Sequence, residues 1–173
     1  MNQTQPVLFV PHGAPTFALR PGAAGAALVA KAATLALPRA IVIVSAHWDT
    51  AVPTVGFAEK LETIHDFWGF PEALYAIRYP ASGCPEASRE VVAAIAAAGL
   101  PVASDATRGL DHGAWVPLRL MFPDAEVPVI PLSVQSRGGA GQGHQRQADA
   151  RQSEQGFHLH LLGGITLDYF GFG

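Results

Sequence analysis

The apolar positions of this chain fall into short continuous runs punctuated by glycine and proline, not into long amphipathic stripes. Val7-Leu8-Phe9-Val10 is the first run and ends at Pro11-His12-Gly13, the pattern of a buried strand that delivers a loop at its carboxyl end. Residues 23–37 are rich in Ala and Leu and stop before Pro38, which predicts a helix. Ala40-Ile41-Val42-Ile43-Val44 is mostly β-branched and leads directly into Ser45-Ala46-His47-Trp48. Such continuous hydrophobicity predicts a strand covered on both faces. Residues 85–98 read as a second helix, with Gly99 as its stop and Pro101 beyond. Asp111 is placed to cap a short helix over residues 114–121. Residues 127–134 form a third apolar strand, where Pro128 and Pro131 predict an edge or irregular position. Strand and helix alternate, so the class is α/β.

The pattern changes after Ser136. Residues 137–156 contain no Val, Leu, Ile, Met or aromatic residue and include Gln142, Gln145, Gln147, Gln152 and Gln155. Such a stretch has no apolar area to set against its ordering cost, although a solvated helix is compatible with its composition. A strand-like pattern resumes over residues 157–162, and the chain then runs into a Gly- and aromatic-rich end. The chain therefore divides into an α/β core over residues 1–136 and a divergent or truncated segment of the same domain over 137–173.

Composition narrows the class. The chain has 173 residues, 49% hydrophobic and 14% charged, enough apolar content for one well-packed domain. The net charge of −3 and the absence of a basic run give no reason to expect nucleic acid or an anionic membrane as partner. No apolar stretch approaches the ~18 residues of a spanning helix, and the first ten residues lack the positive start of a signal peptide. A single cysteine, Cys84, reads as structural and cannot form an internal disulfide, so a cytoplasmic location is expected. GxGxxG, Walker A, CxxC, HExxH and GxSxG patterns are all missing.

Seven histidines against eleven Lys plus Arg carry the candidate chemistry. His12 and His47 lie at the ends of two predicted strands, where ligands collect in open α/β sheets. Two imidazoles meeting there suit a shared metal ion; the alternative is that each only bonds to nearby backbone. His65 lies in Thr63-Ile64-His65-Asp66-Phe67-Trp68-Gly69-Phe70, whose aromatics either wall a flat apolar ligand or belong to the core. His112 lies in Gly109-Leu110-Asp111-His112-Gly113-Ala114-Trp115, where Asp111 is positioned both to orient the imidazole for proton transfer and to cap a helix.

Taken in order, five strings resemble the DOPA-type extradiol ring-opening dioxygenases of the class III, LigB-like superfamily. They are His12-Gly13-Ala14-Pro15, Ser45-Ala46-His47-Trp48, Thr63-Ile64-His65-Asp66-Phe67, Tyr79-Pro80-Ala81 and Gly109-Leu110-Asp111-His112-Gly113-Ala114-Trp115. Each string alone is weak, whereas five in order across residues 7–135 are specific. The resemblance implies a single α/β domain with a central, mostly parallel sheet flanked by helices. It implies a metal-dependent enzyme that opens a catechol or DOPA-like ring with O2, holding Fe(II) or, in some members, zinc. By the same resemblance His12 and His47 match metal ligands and His112 the proton-shuttling catalytic residue. Substrate contacts are expected from His65, Phe67, Trp68 and Asp111.

The resemblance breaks in the last part of the chain. Relatives carry a further metal-ligating histidine after a late strand, but here Gly163-Gly164-Ile165-Thr166 continues as Leu167-Asp168. His158 and His160 lie within the predicted strand, not after it, so the third ligand is His158, His160 or neither. A truncated or shifted coding sequence and true divergence both produce such a pattern. Impaired turnover and self-association through apolar surface are the expected consequences. Two other functions stay open: a non-catalytic relative that binds a metal or a partner, and a metal-assisted hydrolase.

Overall fold

The computed structural model describes residues 5–136 and the backbone of two later strands, 158–161 and 165–168. A 3-10 turn, Pro15–Ala18, precedes helix α1 (Gly22–Ala32) and strand β1 (Ile41–Asp49). Strand β2 (Thr54–Gly56), the short helix α2 (Glu72–Tyr75), α3 (Pro85–Ala97) and β3 (Ala103–Asp105) follow. Helix α4 (His112–Met121) and β4 (Val129–Val134) complete the main body, with β5 (His158–Leu161) and β6 (Ile165–Asp168) beyond.

The main sheet has the order β1-β4-β2-β3. β1 runs parallel to β4 from Ile41↔Val129 to Ser45↔Ser133, and β2 runs parallel to β3. β2 and β4 meet antiparallel at Val55↔Leu132. The sheet is therefore mostly parallel and flanked by helices, as the resemblance implied. β5 and β6 pair antiparallel in a separate two-stranded sheet, which includes the strand expected over 157–162. The glutamine-rich stretch 137–156 lies outside the described residues, as do the side chains of His158 and His160. Among the described residues no helix is long and apolar enough to cross a membrane.

Strand alternation sorts the core into two layers. On one face, Ile41, Ile43 and Val129 join the cluster built on Trp115, Leu74 and Leu110, under α4 and the 3-10 turn, while α1 packs on α4. On the other, Ile130 and Leu132 join Val55 beneath Ala87, Val91 and Ile95 of α3. Each such side chain fully buried contributes about 1.5–3 kcal/mol. Tyr79, from the fourth motif string, is buried and donates its hydroxyl to the Phe122 carbonyl at 2.9 Å, tying that string to the end of α4.

Three expectations are corrected, and a fourth is decided between its two alternatives. Val7-Leu8-Phe9-Val10 forms no strand: Val7, Leu8 and Phe9 are exposed and the run joins no ladder of the described strands. Among the described residues β1 is covered on one face only, because α3 reaches β2 and β4 but leaves Val42 and Val44 exposed. Of the two positions expected for β4 the irregular one holds: the strand is interior despite Pro131, with a register shift against β1 and a single pair to β2. The pyrrolidine lies against Gly56, where a Cβ would stand 2.9 Å from its Cδ, so the missing donor faces the thinly paired β2 side. α1 ends at Ala32, short of Leu37, as the Thr34 hydroxyl bonds the Lys31 carbonyl at 2.7 Å and competes with the helix ladder.

Candidate metal centre

The apolar stripe of β1 that faces α4 turns polar as it proceeds: Ile41 and Ile43 are followed by Ser45 and His47. Pairing with β4 breaks there, since Ser45 opposes Ser133 and the next pair is Asp49 with Val134. His47 therefore sits inside β1, in a bulge, and not beyond the strand as its position after the apolar run suggested. Bulges re-aim side chains in this way next to functional sites. The first turn of α4 closes onto the bulge. A Cβ on Gly113 would lie 2.5 Å from Ser45 Oγ and 2.8 Å from His47 Cδ2, so only glycine permits the approach.

Asp111 caps α4 as expected, its carboxylate accepting the Ala114 N–H at 3.3 Å. The same buried carboxylate accepts the Ser45 hydroxyl at 2.5 Å and the Arg108 guanidinium at 2.5 Å. Arg108 in turn stacks over the Trp48 ring, 5.0 Å from its centroid. Asp111 thus fastens the helix start to β1 and does not bond the His112 ring.

That ring is held by Asp66. The two longest motif strings are zipped together by a short parallel bridge, Thr63↔Leu110. Ile64 N–H donates to the Leu110 carbonyl at 2.7 Å and Leu110 N–H to the Glu62 carbonyl at 2.8 Å. Gly109 is required here, as a Cβ would stand 2.3 Å from the Glu62 oxygen. Trp115 locks the pair by donating its indole N–H to the Ile64 carbonyl at 3.1 Å. The zipper delivers Asp66 to the start of α4, where Oδ1 accepts both the backbone N–H and Nδ1–H of His112, each at 2.9 Å. Burial pushes the Asp66 carboxyl up, but these hydrogen bonds and the nearby imidazole outweigh it and hold the group at about 2.

His12 reaches the same place from the loop before the 3-10 turn. Gly13 takes a positive φ of 61°, and His12 Nδ1 donates to the Gly13 carbonyl at 2.7 Å. Ring centroids of His12, His47 and His112 are 4.9, 5.2 and 4.1 Å apart, and one ligating atom from each lies within 4.8 Å of the others. Two nitrogens bound at ~2.1 Å to one ion are about 3.0–3.4 Å apart, so the widest pair of the set has to close by roughly 1.5 Å to bind one ion. His47 also fits in charge, because a metal needs a neutral imidazole. Burial and the neighbouring His112 lower the His47 pKa, against a smaller opposing pull from Asp66. His47 Nδ1 stands 3.8 Å from Asp66 Oδ2, an electrostatic contact beyond hydrogen-bond length.

The other expected contacts disperse. His65 bonds the Ile77 carbonyl at 3.1 Å and packs edge-on to Phe67, outside the histidine cluster. Phe67 is buried, with its ring 5.8 Å from His112 and perpendicular to it. Trp68 stands in solvent, 86% exposed. Asp66 is the residue that composition and spacing did not single out. Its signal was the register between the His65-Asp66 and Asp111-His112 strings, which only pairing reveals.

A family model described as the catalytic LigB subunit of aromatic ring-opening dioxygenase matches residues 19–148. The chain belongs to this LigB family, with His47, Asp66 and His112 inside the matched segment and His12 just before it. It is 49% identical over 98 residues to a 4,5-DOPA dioxygenase extradiol of Mirabilis jalapa, covering 57% of this chain and 37% of that one. Against the protein of the same name from Escherichia coli (strain K12) it is 42% identical over 138 residues, 79% of this chain and 50% of the other. A solved structure of an uncharacterized protein from Escherichia coli K12 superposes with a TM-score of 0.51 at 35% identity, covering 65% of this chain and 40% of that one. The chain thus spans half the length, or less, of these relatives.

Proposed function

We propose that this chain is an extradiol dioxygenase acting on a catechol or DOPA-like ring, with a divalent metal held by His12 and His47. The observation that carries the proposal is the convergence of His12, His47 and His112 from three distant segments onto one point. Family membership and the printed names of the relatives support the reaction class. Bound Fe(II), the proposed ion, would supply Lewis acidity to the ring hydroxyls and one-electron chemistry toward O2; zinc is the alternative occupant, without redox capacity.

In this proposal His112 takes the proton that a catechol hydroxyl gives up, at Nε2, since Nδ1–H is committed to Asp66. Phe67, perpendicular to that imidazole, sets one wall of the ring site, and His65 and the exposed Trp68 lie on the same loop. Asp111 contributes by holding the helix start, through Ser45 and Arg108. The overall change breaks the O–O bond and one ring C–C bond beside the diol. Both oxygen atoms enter the product, so no outside reductant is needed.

A second reading concerns His112, whose nitrogen lies close enough to serve as third ligand instead. His112→Phe distinguishes the two: a proton carrier leaves metal content intact while turnover falls by about 10²–10⁴-fold, whereas a ligand takes metal with it. The activity itself is tested by anaerobic loading with Fe(II), then oxygen uptake over a panel of catechols. The proposal expects uptake matched to catechol loss and a yellow ring-fission product. Tight iron binding without uptake would assign the chain to the non-catalytic relatives.

A further inference from the structure

Two of the three clustered histidines expose the same nitrogen, and for the same reason. His12 Nδ1 is bonded to a backbone carbonyl and His112 Nδ1 to a carboxylate. Both partners only accept, so in each neutral ring Nδ1 carries the proton and Nε2 keeps its lone pair. For His12 the acceptor comes from its immediate neighbour in sequence. For His112 it comes from a residue 46 positions away, brought in by the Thr63↔Leu110 bridge.

We infer that Asp66 is the positioning residue of this centre: one carboxylate oxygen grips both the backbone and the ring of His112 and fixes its tautomer. The grip on the backbone N–H satisfies the first unpaired donor of α4, so the ring and the helix start are set by one atom. The second oxygen, 3.8 Å from His47 Nδ1, extends the same negative charge to a second cluster member. A carboxylate behind an imidazole raises its basicity and holds its orientation, whether the free nitrogen meets an ion or a proton. Without it, the His112 proton is free to move to Nε2, which then offers neither a ligand nor a base.

The tautomer half of this inference stands without the dioxygenase reading, and the affinity half rests on the second reading of that site, in which His112 is the third ligand. Ring-nitrogen NMR of the metal-free chain at pH 8 should show His112 protonated at Nδ1 and bare at Nε2; a ring protonated at Nε2 overturns the inference. Zn2+ titration then compares Asp66→Asn and Asp66→Ala with the parent. Asn keeps an oxygen for the backbone N–H, so a purely structural role leaves its Zn2+ affinity unchanged. The inference expects about 10-fold weaker binding for Asn and up to about 100-fold for Ala, with the tautomer lost only in Ala. Unchanged affinity in Asp66→Asn overturns the affinity half, and this variant decides alone if Asp66→Ala does not fold. A parent that binds no Zn2+ yet shows the expected tautomer refutes the metal reading and supports the assignment of Asp66.

Discussion

Gly113 and His47 meet where the bulge of β1 touches the first turn of α4, and a Cβ on Gly113 would come within 2.8 Å of His47 Cδ2. The same Cβ would lie 2.5 Å from Ser45 Oγ, whose hydroxyl is bonded to the capping Asp111. Fold and site therefore share one contact. Gly113→Ala is expected to cost about 1–3 kcal/mol in thermal or urea unfolding, the usual cost of overpacking, and to weaken metal binding with it. A stable variant with unaltered metal affinity would show that β1 and α4 can part without disturbing His47.

Trp115 and Trp68 should behave in opposite ways. Trp115 is fully buried and holds the Ile64 carbonyl, so Trp115→Ala is expected to cost about 3–5 kcal/mol. Trp68 is 86% exposed, so Trp68→Ala should stay within about 0.5 kcal/mol of the parent. Unfolding curves for both variants check the pair.

Asp66 sets an acid limit. Its carboxyl is held at about 2 in the folded chain against an ordinary 3.8, so the unfolded state binds more protons as the pH falls. The contribution is complete above about pH 4 and disappears as the pH approaches the folded value of about 2. The stability gap between the parent and Asp66→Asn should be widest near pH 5–6 and close over that window. A gap that persists unchanged at pH 2 contradicts the assignment.

Much of this architecture was legible in the chain because it rests on local signals. Pro85 and Gly99 bracket α3, Asp111 caps α4, and the β-branched run opens β1. What escaped depends on partners distant in sequence. β2 and β3 have three residues each, too short for periodicity to register. The interior place of Pro131 depends on the bare backbone of Gly56, and the bulge at His47 on the register with β4. For the site, His12, His47 and His112 were readable as residue types in specific strings. Asp66 was not, because its role comes from a bridge between two loops and not from its neighbours in the chain.

The central claim is that His12 and His47 hold one ion, and calorimetric titration of the metal-free chain with Zn2+ tests it most directly. The account predicts one ion per chain, with binding abolished in His12→Ala and in His47→Ala, since each removes a bond of ~2.1 Å to the ion. Binding that survives both substitutions, or a parent chain that takes up no ion, would contradict it.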